Sequence, residues 1–386
     1  MLTLEQTANV AAKEHAASPA GRAAVVSLHF SPAHASHILA YGKLLRSLGF
    51  AVCFVLDELY LNFADFSAIG PVVSAAQYRS HPDAMPIETA IFYNAAVANA
   101  WTARRMRAHG IDVLYVFHEP VPVAMRLGEG WKEILKLIAA KFCSIAMLRQ
   151  SSAVLVACGY ARGLYDRHFS KYNPSVYTFP LLFEDECSEN RSVAAGSDRS
   201  YFSFLGYAVK AHDFDGFVNF AKYAIRAGSC IQFAIATRSD LSEYLAGDEE
   251  LARYGKEGCV LIQHGKALSN EEMNSFCARS FCVWNVYKCS TQSGALVRAF
   301  MAGTPVVAVR TGSFPEFIEP GVNGEFVEAA DKFNELLRAA EKIRANIDAY
   351  AEGSRRSFLD TFDYRANRKR FARILAATRK ETPACA

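Results

Sequence analysis

A run of small polar residues in the last third of this 386-residue sequence has the composition of an anion-binding loop. Its members are Ser290, Thr291, Gln292, Ser293 and Gly294. The apolar stretch FCVWNVY before the run predicts a strand, and ALVRAFMA after it predicts a short helix. Hydroxyl groups and glycine at a helix start leave backbone N–H groups free at the positive end of the helix dipole, where a phosphate binds well. An ordinary helix N-cap explains the same residues, so the run alone leaves both interpretations open.

Histidines follow two apolar stretches in the first half of the sequence. His34 and His37 come after AAVVSLHF, and His118 comes after VLYVF. Histidine side chains bind hydroxyl groups and transfer protons near neutral pH. The same residues can cap a helix or pack in a turn, so they are candidate site residues with two open interpretations.

Strand-like and helix-like stretches alternate along the chain, which predicts parallel sheets covered by helices. A first series starts with AAVVSLHF, HILAYGKLLRSLGF and AVCFVLDELY, and a second starts with YFSFLGY after the polar linker EDECSENRSVAAGSDRS. We therefore predict two Rossmann-like α/β domains facing across a cleft, at about 20–183 and 200–350, with C-terminal helices at about 355–386 packing back on the first. Ligands of such sheets bind at the carboxyl ends of the strands.

The charge and the cysteine content argue against several classes of protein. The 42 basic and 39 acidic residues give a net charge of +3, whereas a dedicated nucleic-acid-binding protein carries a strong basic excess. The ten Cys lie mostly in apolar stretches, so we expect buried thiols in a reducing compartment. Cys277, Cys282 and Cys289 form no CxxC pair, and no metal site is expected there. Neither a signal peptide nor a membrane span is predicted, which points to a cytoplasmic protein.

The segment AFMAGTPVVAVRTGSFPEFIEPGVNGEFV resembles the nucleotide-sugar region of GT-B glycosyltransferases of the family 4 type, whose pattern is close to EAMACGTPVVAS-GG-PE-V-DG-G. The matching residues are Ala299, Gly303, Thr304, Pro305, Val306, Val307, Ala308, Gly312, Pro315, Glu316, Gly321 and Gly324. The resemblance implies that the helix start at Ser293 and Gly294 holds the diphosphate of a nucleotide-sugar donor, with Glu316 beside it. It also implies that His118 points at the transferred sugar and that His264 and Gly265 lie near the nucleobase. The first domain, with His34 and His37, would hold the acceptor.

The start of the predicted second domain, FSFLGYAVKAHDFDGF, resembles the family segment that holds the diphosphate with an Arg and a Lys. Gly206 keeps the family's glycine, Tyr207 replaces the Arg and His212 replaces the Lys. Lys210 is therefore expected to neutralise the diphosphate. The DFD sequence at 213–215 also fits a metal-binding pattern, but helix capping by Asp is the simpler interpretation.

The sequence departs from the family at the two Glu that normally flank the short helix. The corresponding residues are Ser290 and Arg298. We expect Arg298 to take over part of the missing carboxylates' role. The departure leaves the sugar and the base of the donor open, and it motivates an alternative in which a degenerate protein of this fold binds a nucleotide or a partner without catalysis.

The resemblance implies sugar transfer from a nucleoside diphosphate to a hydroxyl acceptor, with retained configuration and without a metal or other cofactor. The acceptor would be a glycan or a lipid-linked molecule in bacterial surface polysaccharide or glycolipid synthesis. A sugar-nucleotide epimerase of the same fold is a weaker alternative.

Basic helices in the first half suggest contact with the inner face of the cell membrane. The cations concerned are Arg104, Arg105, Arg107, Lys132, Lys136, Lys141 and Arg149. Such helices can lie on anionic lipid, but solvated lysines on an amphipathic core helix explain them equally well.

Overall fold

The computed structural model describes residues 21–80, 86–122, 131–187, 199–288 and 290–381. The chain divides into two compact units, one formed by Met1–Glu184 with Phe362–Ala386 and the other by Asp185–Thr361. Most of the predicted linker, at 188–198, lies outside the described residues, as do Cys289 and Cys385.

The first unit contains a 7-stranded parallel sheet in the order β3-β2-β1-β4-β5-β6-β7. Its strands are β1 (Arg22–Ser27), β2 (Ala51–Leu56), β3 (Val72–Ser74), β4 (Thr89–Tyr93), β5 (Asp112–Val116), β6 (Ala153–Val156) and β7 (Val176–Thr178). Nearly every residue of β1, β4 and β5 is buried, as expected for strands covered by helices on both faces.

Helices connect these strands as the apolar spacing predicts. They are α1 (Ala35–Ser47), α2 (Ala75–Ser80), α3 (Val97–Ala108), α4 (Trp131–Gln150) and α5 (Gly159–His168), with α14 (Arg368–Glu381) from the C-terminal end of the chain. Phe371 of α14 packs on Tyr41 and Phe179 with ring centroids 6.2 and 5.2 Å apart. None of the helices in the described part of the chain has the length and apolar character needed to cross a bilayer.

The second unit contains a 6-stranded parallel sheet in the order β10-β9-β8-β11-β12-β13. Its strands are β8 (Tyr201–Leu205), β9 (Gln232–Ala236), β10 (Val260–Gln263), β11 (Ser280–Asn285), β12 (Val306–Val309) and β13 (Gly324–Val327). Its helices are α6 (Phe214–Arg226), α7 (Ser242–Gly247), α8 (Glu249–Lys256), α9 (Asn270–Ala278), α10 (Gly294–Met301), α11 (Phe314–Phe317), α12 (Phe333–Ala345) and α13 (Ile347–Thr361). The prediction of two Rossmann-like α/β domains is confirmed.

An aromatic cluster fills the core of the second unit. Phe202 of β8 lies 6.1 Å from Phe217, 5.5 Å from Phe220 and 6.3 Å from Trp284, measured between ring centroids. Burial of such rings is the main favourable contribution to packing a helix on a sheet. The cluster fixes α6 against β8 and β11, the strands whose ends carry the candidate loops.

Arg199 is a buried cation at the start of the second unit, and two backbone carbonyls and one hydroxyl accept its hydrogen bonds. Its guanidinium donates to Ser280 O at 3.0 Å, to Ala302 O at 2.8 Å and to Thr304 Oγ1 at 2.8 Å. Burial lowers its pKa. The side chain therefore ties the entry to β8 to the start of β11 and to the end of α10.

We expect Arg199→Ala to reduce the free energy of unfolding by about 2–4 kcal/mol, because three buried acceptors lose their donors. Urea titration followed by circular dichroism measures the change. Arg226→Ala, which removes an exposed guanidinium paired with Glu250, is the matched control and should cost less than about 1 kcal/mol. Equal losses in the two variants would contradict the role assigned to Arg199.

Candidate functional site

The strand order of each sheet predicts where ligands bind. In the first unit the chain order reverses between β1 and β4, and in the second it reverses between β8 and β11. Loops leaving the carboxyl ends of two such strands run to opposite faces of the sheet and leave a crevice between them. The candidate residues of each unit are therefore those that follow these strands.

In the second unit the loop after β11 forms a buried helix start. Ser293 is the N-cap of α10, and its Oγ accepts the Leu296 N–H at 3.2 Å and donates to Asn285 Oδ1 at 3.0 Å. Ser290, Thr291 and Gln292 are also buried. The sequence prediction of a strand, a polar run and a short helix is confirmed here, and side-chain hydrogen bonds fix Ser293 at the end of the run.

Buried polar atoms at this helix start have no hydrogen-bond partner within the described part of the chain. They are both amide atoms of Gln292, the Nδ2 of Asn285 and the Oγ of Ser313. Each of these three side chains is at least nine-tenths buried. A buried polar group without a partner costs about 1–3 kcal/mol, so three together indicate a place where a polar ligand binds.

The loops after β11 and β12 touch through their backbones. Gly312 has φ +55°, and a Cβ there would lie 1.8 Å from Ser290 O. The Ser313 N–H donates to the same carbonyl at 3.0 Å. Only glycine permits this approach, which explains the family-like glycine at 312 and positions Ser313 beside the helix start.

Cations follow β8 and β9, the strands on one side of this crevice. Lys210 is exposed, lies in a 3-10 turn at Lys210–His212 and has no carboxylate partner among the described residues. Arg238, which follows β9, stacks its guanidinium over the exposed ring of Tyr207 at 3.5 Å from the ring centroid. Within the described part of the chain Arg238 has no hydrogen bond or ion pair, and burial lowers its pKa.

Sequence reasoning missed Arg238. Tyr207 stands where the resemblance predicts an arginine, and the structure places a guanidinium from the neighbouring strand over that tyrosine. The available signal was a basic residue directly after the strand CIQFAIAT. An aromatic ring beneath a guanidinium holds it without neutralising it, so the charge stays available to an anion.

His212 supports the crevice through its ring. It stacks on buried Tyr287 at 4.3 Å between centroids, and its Nδ1 lies 2.9 Å from Tyr207 O. Because a carbonyl only accepts, this Nδ1 carries the proton. Burial raises the pKa of Tyr287 to about 12. Gly206 has φ +129°, a conformation that favours glycine, so the resemblance is matched at this position.

The other predicted donor-side residues lie on neighbouring loops. His264 follows β10, and its Nδ1 accepts the Leu241 N–H at 3.2 Å, while Gly265 has φ +77°. Glu316 is exposed on the short helix α11. The predicted roles of these residues in binding the nucleobase and the phosphate stay predictions.

Arg298 lies in the second turn of α10 and is held by polar side chains. Its guanidinium donates to Asn270 Oδ1 at 2.6 Å and to Asn274 Oδ1 at 2.9 Å, and it lies 3.3 Å from Glu186 Oε2. These contacts hold α10 against α9, so Arg298 has a structural role. Its predicted part in replacing the missing carboxylates stays a prediction.

The capping interpretation of the DFD sequence needs correction. Asp213 occupies the N-cap position of α6 with φ +50°, but its carboxylate accepts no hydrogen bond from the helix. It lies instead 3.4 Å from Lys288 Nζ, while Asp215 accepts from the hydroxyl of Tyr244 at 3.0 Å. In this left-handed backbone conformation the Asp213 carboxylate pairs with Lys288 and makes no capping hydrogen bond.

In the first unit the structure brings together three histidines that the sequence separates. The ring centroids of His34 and His118 are 5.8 Å apart, those of His34 and His37 are 6.5 Å apart, and those of His37 and His118 are 6.4 Å apart. They follow β1 and β5, on either side of β4, at the carboxyl edge of the sheet. The sequence analysis assigned His118 to the transferred sugar and His34 and His37 to the acceptor, and the structure places all three in one cluster.

Tyr93, the last residue of β4, completes this cluster and was not predicted. Its ring lies 4.9 Å from His34, 5.8 Å from His37 and 6.3 Å from His118. The side chain is fully buried, and its hydroxyl has no hydrogen-bond partner among the described residues. Its position at a strand end beside the switch point was the signal that could have identified it.

The histidines of the cluster differ in how they are held. His37 is buried, and its Nδ1 donates to Leu182 O at 2.9 Å, which leaves Nε2 as the acceptor of the neutral ring. Burial lowers the pKa of His118, while the nearby Glu119 opposes the shift. The Nδ1 of His118 has no partner in the described part of the chain. A neutral His118 ring near pH 7 is suited to exchange a hydrogen bond with a hydroxyl group.

Among the described residues, no three His, Cys, Asp or Glu side chains are arranged to hold a metal ion. Cys277 and Cys282 are free and fully buried, and burial raises the pKa of both thiols. Buried thiols with raised pKa values are poor nucleophiles and poor ligands.

The fold is that of GT-B glycosyltransferases. Sucrose-phosphate synthase from Thermosynechococcus elongatus superposes with a TM-score of 0.73 at 13% identity, covering 94% of this chain and 100% of that chain. Anabaena HepE in complex with UDP gives 0.68 at 12% identity, covering 92% and 100%. The catalytic domain of starch synthase IV from Arabidopsis thaliana, bound to ADP and acarbose, gives 0.67 at 10% identity, covering 94% and 100%. Identities this low show a shared fold and leave the substrate open.

Residues 226–375 match a protein-family model described as glycosyl transferase-like. No curated protein sequence matches the chain. The matched range contains the helix start at Ser293 and the Gly312 contact.

The lowered pKa of His118 predicts a pH dependence of stability. In the unfolded chain the imidazole has a pKa of about 6.5. The folded one titrates lower, so the unfolded chain binds more protons and stability falls as the pH drops below that value. The contribution is at most about 1.4 kcal/mol per pH unit.

We expect His118→Gln to remove this contribution. The free energies of unfolding of the two proteins should be compared at pH 7.5 and at pH 5.5, since every other group titrates in both. The difference in free energy of unfolding between wild type and variant should be smaller at pH 5.5 than at pH 7.5. A difference that does not change with pH would show that burial does not shift this histidine.

Proposed function

We propose that the protein is a glycosyltransferase that moves a sugar from a nucleoside-diphosphate donor to a hydroxyl acceptor. The observation that carries the proposal is the buried helix start of α10, where Gln292, Asn285 and Ser313 present polar atoms without partners. Free N–H groups at a helix start, together with nearby cations, suit a diphosphate. The glycosyl transferase-like match and the GT-B fold support the same interpretation.

The donor diphosphate would lie against Ser293 and Gly294, with Lys210 and Arg238 approaching from the loops after β8 and β9. As the bond between the sugar and the diphosphate breaks, negative charge grows on the leaving phosphate. Fixed cations and N–H groups stabilise that charge without reorganising, which is the usual largest contribution to catalysis. Retention of configuration and independence from metal ions belong to this proposal through the resemblance to family 4 enzymes.

The first unit would bind the transferred sugar and the acceptor. The half-buried ring of His118, with its pKa lowered, would hold a sugar hydroxyl, and His34, His37 and Tyr93 would line the same edge of the sheet. We place the acceptor among glycans and lipid-linked molecules of bacterial surface polysaccharide or glycolipid synthesis, handled at the inner face of the cell membrane.

A degenerate, non-catalytic nucleotide-binding protein is the second candidate. Ser290 and Arg298 stand where the family has its Glu pair, and the Arg298 guanidinium is already bound by Asn270 and Asn274. No described carboxylate replaces the pair at the start of α10. Slow hydrolysis of a bound donor by the purified protein would distinguish the transferase from this candidate.

The proposal is tested first by thermal unfolding with UDP, GDP, ADP, CMP and dTDP and with the corresponding nucleotide sugars. A ligand at 100 times its dissociation constant adds about 2.7 kcal/mol of stability. We expect a shift with nucleotides of one base, larger for the diphosphate than for the monophosphate. No shift with any nucleotide or nucleotide sugar would refute the donor site.

Lys210→Ala and Arg238→Ala should each lower turnover at least tenfold, since a charge-assisted hydrogen bond to phosphate contributes about 1.5–3 kcal/mol. The readout is nucleotide release from the donor identified by the binding panel. Lys256→Ala, on the exposed end of α8, is the matched control. Wild-type turnover in either test variant would remove that residue from the site.

A further inference from the structure

Helix α4 exposes a stripe of large apolar side chains. Leu135 is 56% exposed, Ile138 is 38% exposed and Phe142 is 69% exposed. Their spacing of three and four residues places them on one face of the helix. Single exposed apolar residues are common on protein surfaces. Exposed apolar side chains on three consecutive turns of one helix form a patch that suits an apolar partner.

The neighbouring helix α3 repeats this arrangement. Val97 is 75% exposed and Trp101 is 49% exposed one turn later, and Arg105 lies over the Trp101 ring with its Cζ 5.6 Å from the centroid. Arg104 is also exposed. Arg107 is different, because it donates to Ser152 Oγ at 2.9 Å and lies 3.5 Å from Asp112, so it does not belong to the surface.

A basic cavity borders the stripe. It has a volume of about 330 Å³ and is lined by Lys141, Arg167, His168, Lys171, Tyr172 and Pro122. Lys141 lies one turn after Ile138, so the stripe and the cavity share an edge. In the described part of the chain no carboxylate lines the cavity or pairs with its Lys and Arg side chains.

Arg149 adds a further cation beside the cavity. The guanidinium of Arg149 and the ammonium of Lys171 both lie on the ring of Tyr172, at 5.4 and 5.1 Å from its centroid. The ring orders these cations without neutralising them. Neither cation has a carboxylate partner among the described residues, so both charges remain available to an anion.

We propose that the stripe and the cavity together form a docking face for an anionic lipid surface. Free phosphate would use the cations but would gain nothing from exposed Leu135 and Phe142. An apolar protein partner would use the stripe but would leave the cations unpaired. A bilayer with acidic headgroups satisfies both, since aromatic and aliphatic side chains enter the headgroup region while cations hold the phosphates.

The inference rests on the part of the proposed function that places the acceptor at the membrane. Lipid binding is measured without any substrate, so its failure is distinguishable from failure of the donor site. The side chains of Lys132 and Lys136, which the sequence suggested for this contact, lie outside the described residues. The cavity cations Arg167 and Lys171 were not suggested by the sequence, because they lie at the end of α5 and just after it, and the apolar pattern does not reveal that helix.

Flotation of the full-length protein with vesicles tests the docking face. Vesicles of phosphatidylcholine alone are compared with vesicles that contain about one-third phosphatidylglycerol. We expect flotation with the acidic vesicles and its loss in high salt, which screens surface charge. Flotation with neither vesicle, or equal flotation with both, would overturn the proposal.

Two pairs of substitutions separate the contributions. Lys141→Gln with Lys171→Gln should weaken binding to acidic vesicles about fivefold for each charge removed, the effect of one basic residue near such a surface. Leu135→Ser with Phe142→Ser should weaken it at least fivefold through lost apolar burial. All four side chains are at least partly exposed or line the cavity, so the fold should be retained, and circular dichroism checks this.

Matched controls lie in the second unit. Lys256→Gln with Lys266→Gln removes the same charge from exposed positions, and Leu359→Ser removes one exposed apolar side chain. These variants should float like wild type. Equal weakening by the control pair would show a general charge effect and contradict a specific face. If inorganic phosphate stabilises the protein but the protein does not float with acidic vesicles, the ligand is a soluble anion. That result would also overturn the lipid assignment.

Discussion

The reversal of strand order at β8 and β11 is the constraint on which the candidate donor site depends. Because β8 pairs in parallel with both β9 and β11, the loops that follow these strands leave the same edge of one sheet. Arg238, Tyr207 and the helix start at Ser293 are far apart in sequence and become neighbours through that pairing. The aromatic core around Phe202 holds α6 in place, and with it the loop that carries Lys210.

The same constraint acts in the first unit, where β1 and β4 are the reversing pair. The sequence predicted the alternation of strands and helices because buried parallel strands are continuous apolar runs. It did not predict α5 (Gly159–His168), since GYARGLYDRH combines two glycines with charged residues and shows little apolar spacing. It also missed the short strands β3 and β13, whose three or four residues are held by a neighbouring strand rather than by their own pattern.

Site residues were predictable where local spacing determines them and unpredictable where packing does. The hydroxyl run before α10 was predictable, because a helix start is a local feature with a known composition. Tyr93 and Arg238 were not, since each belongs to its site through residues on other strands. Arg298 was suggested as a site residue by its position in a family pattern, and packing adds contacts with asparagines on an adjacent helix that the pattern did not predict.

Two arginines of the second unit, Arg199 and Arg238, show how burial and hydrogen bonding separate a structural role from a functional one. Arg199 is buried and donates to three acceptors of the protein, so its guanidinium is satisfied without a ligand. Arg238 is half-buried and rests on a ring, so it has lost part of its hydration and gained no acceptor. A cation in that state binds an anion with a smaller desolvation cost than a fully hydrated one. The resemblance predicts an arginine in the loop after β8, where this sequence has Tyr207. The guanidinium of Arg238, from the loop after β9, can supply that positive charge instead.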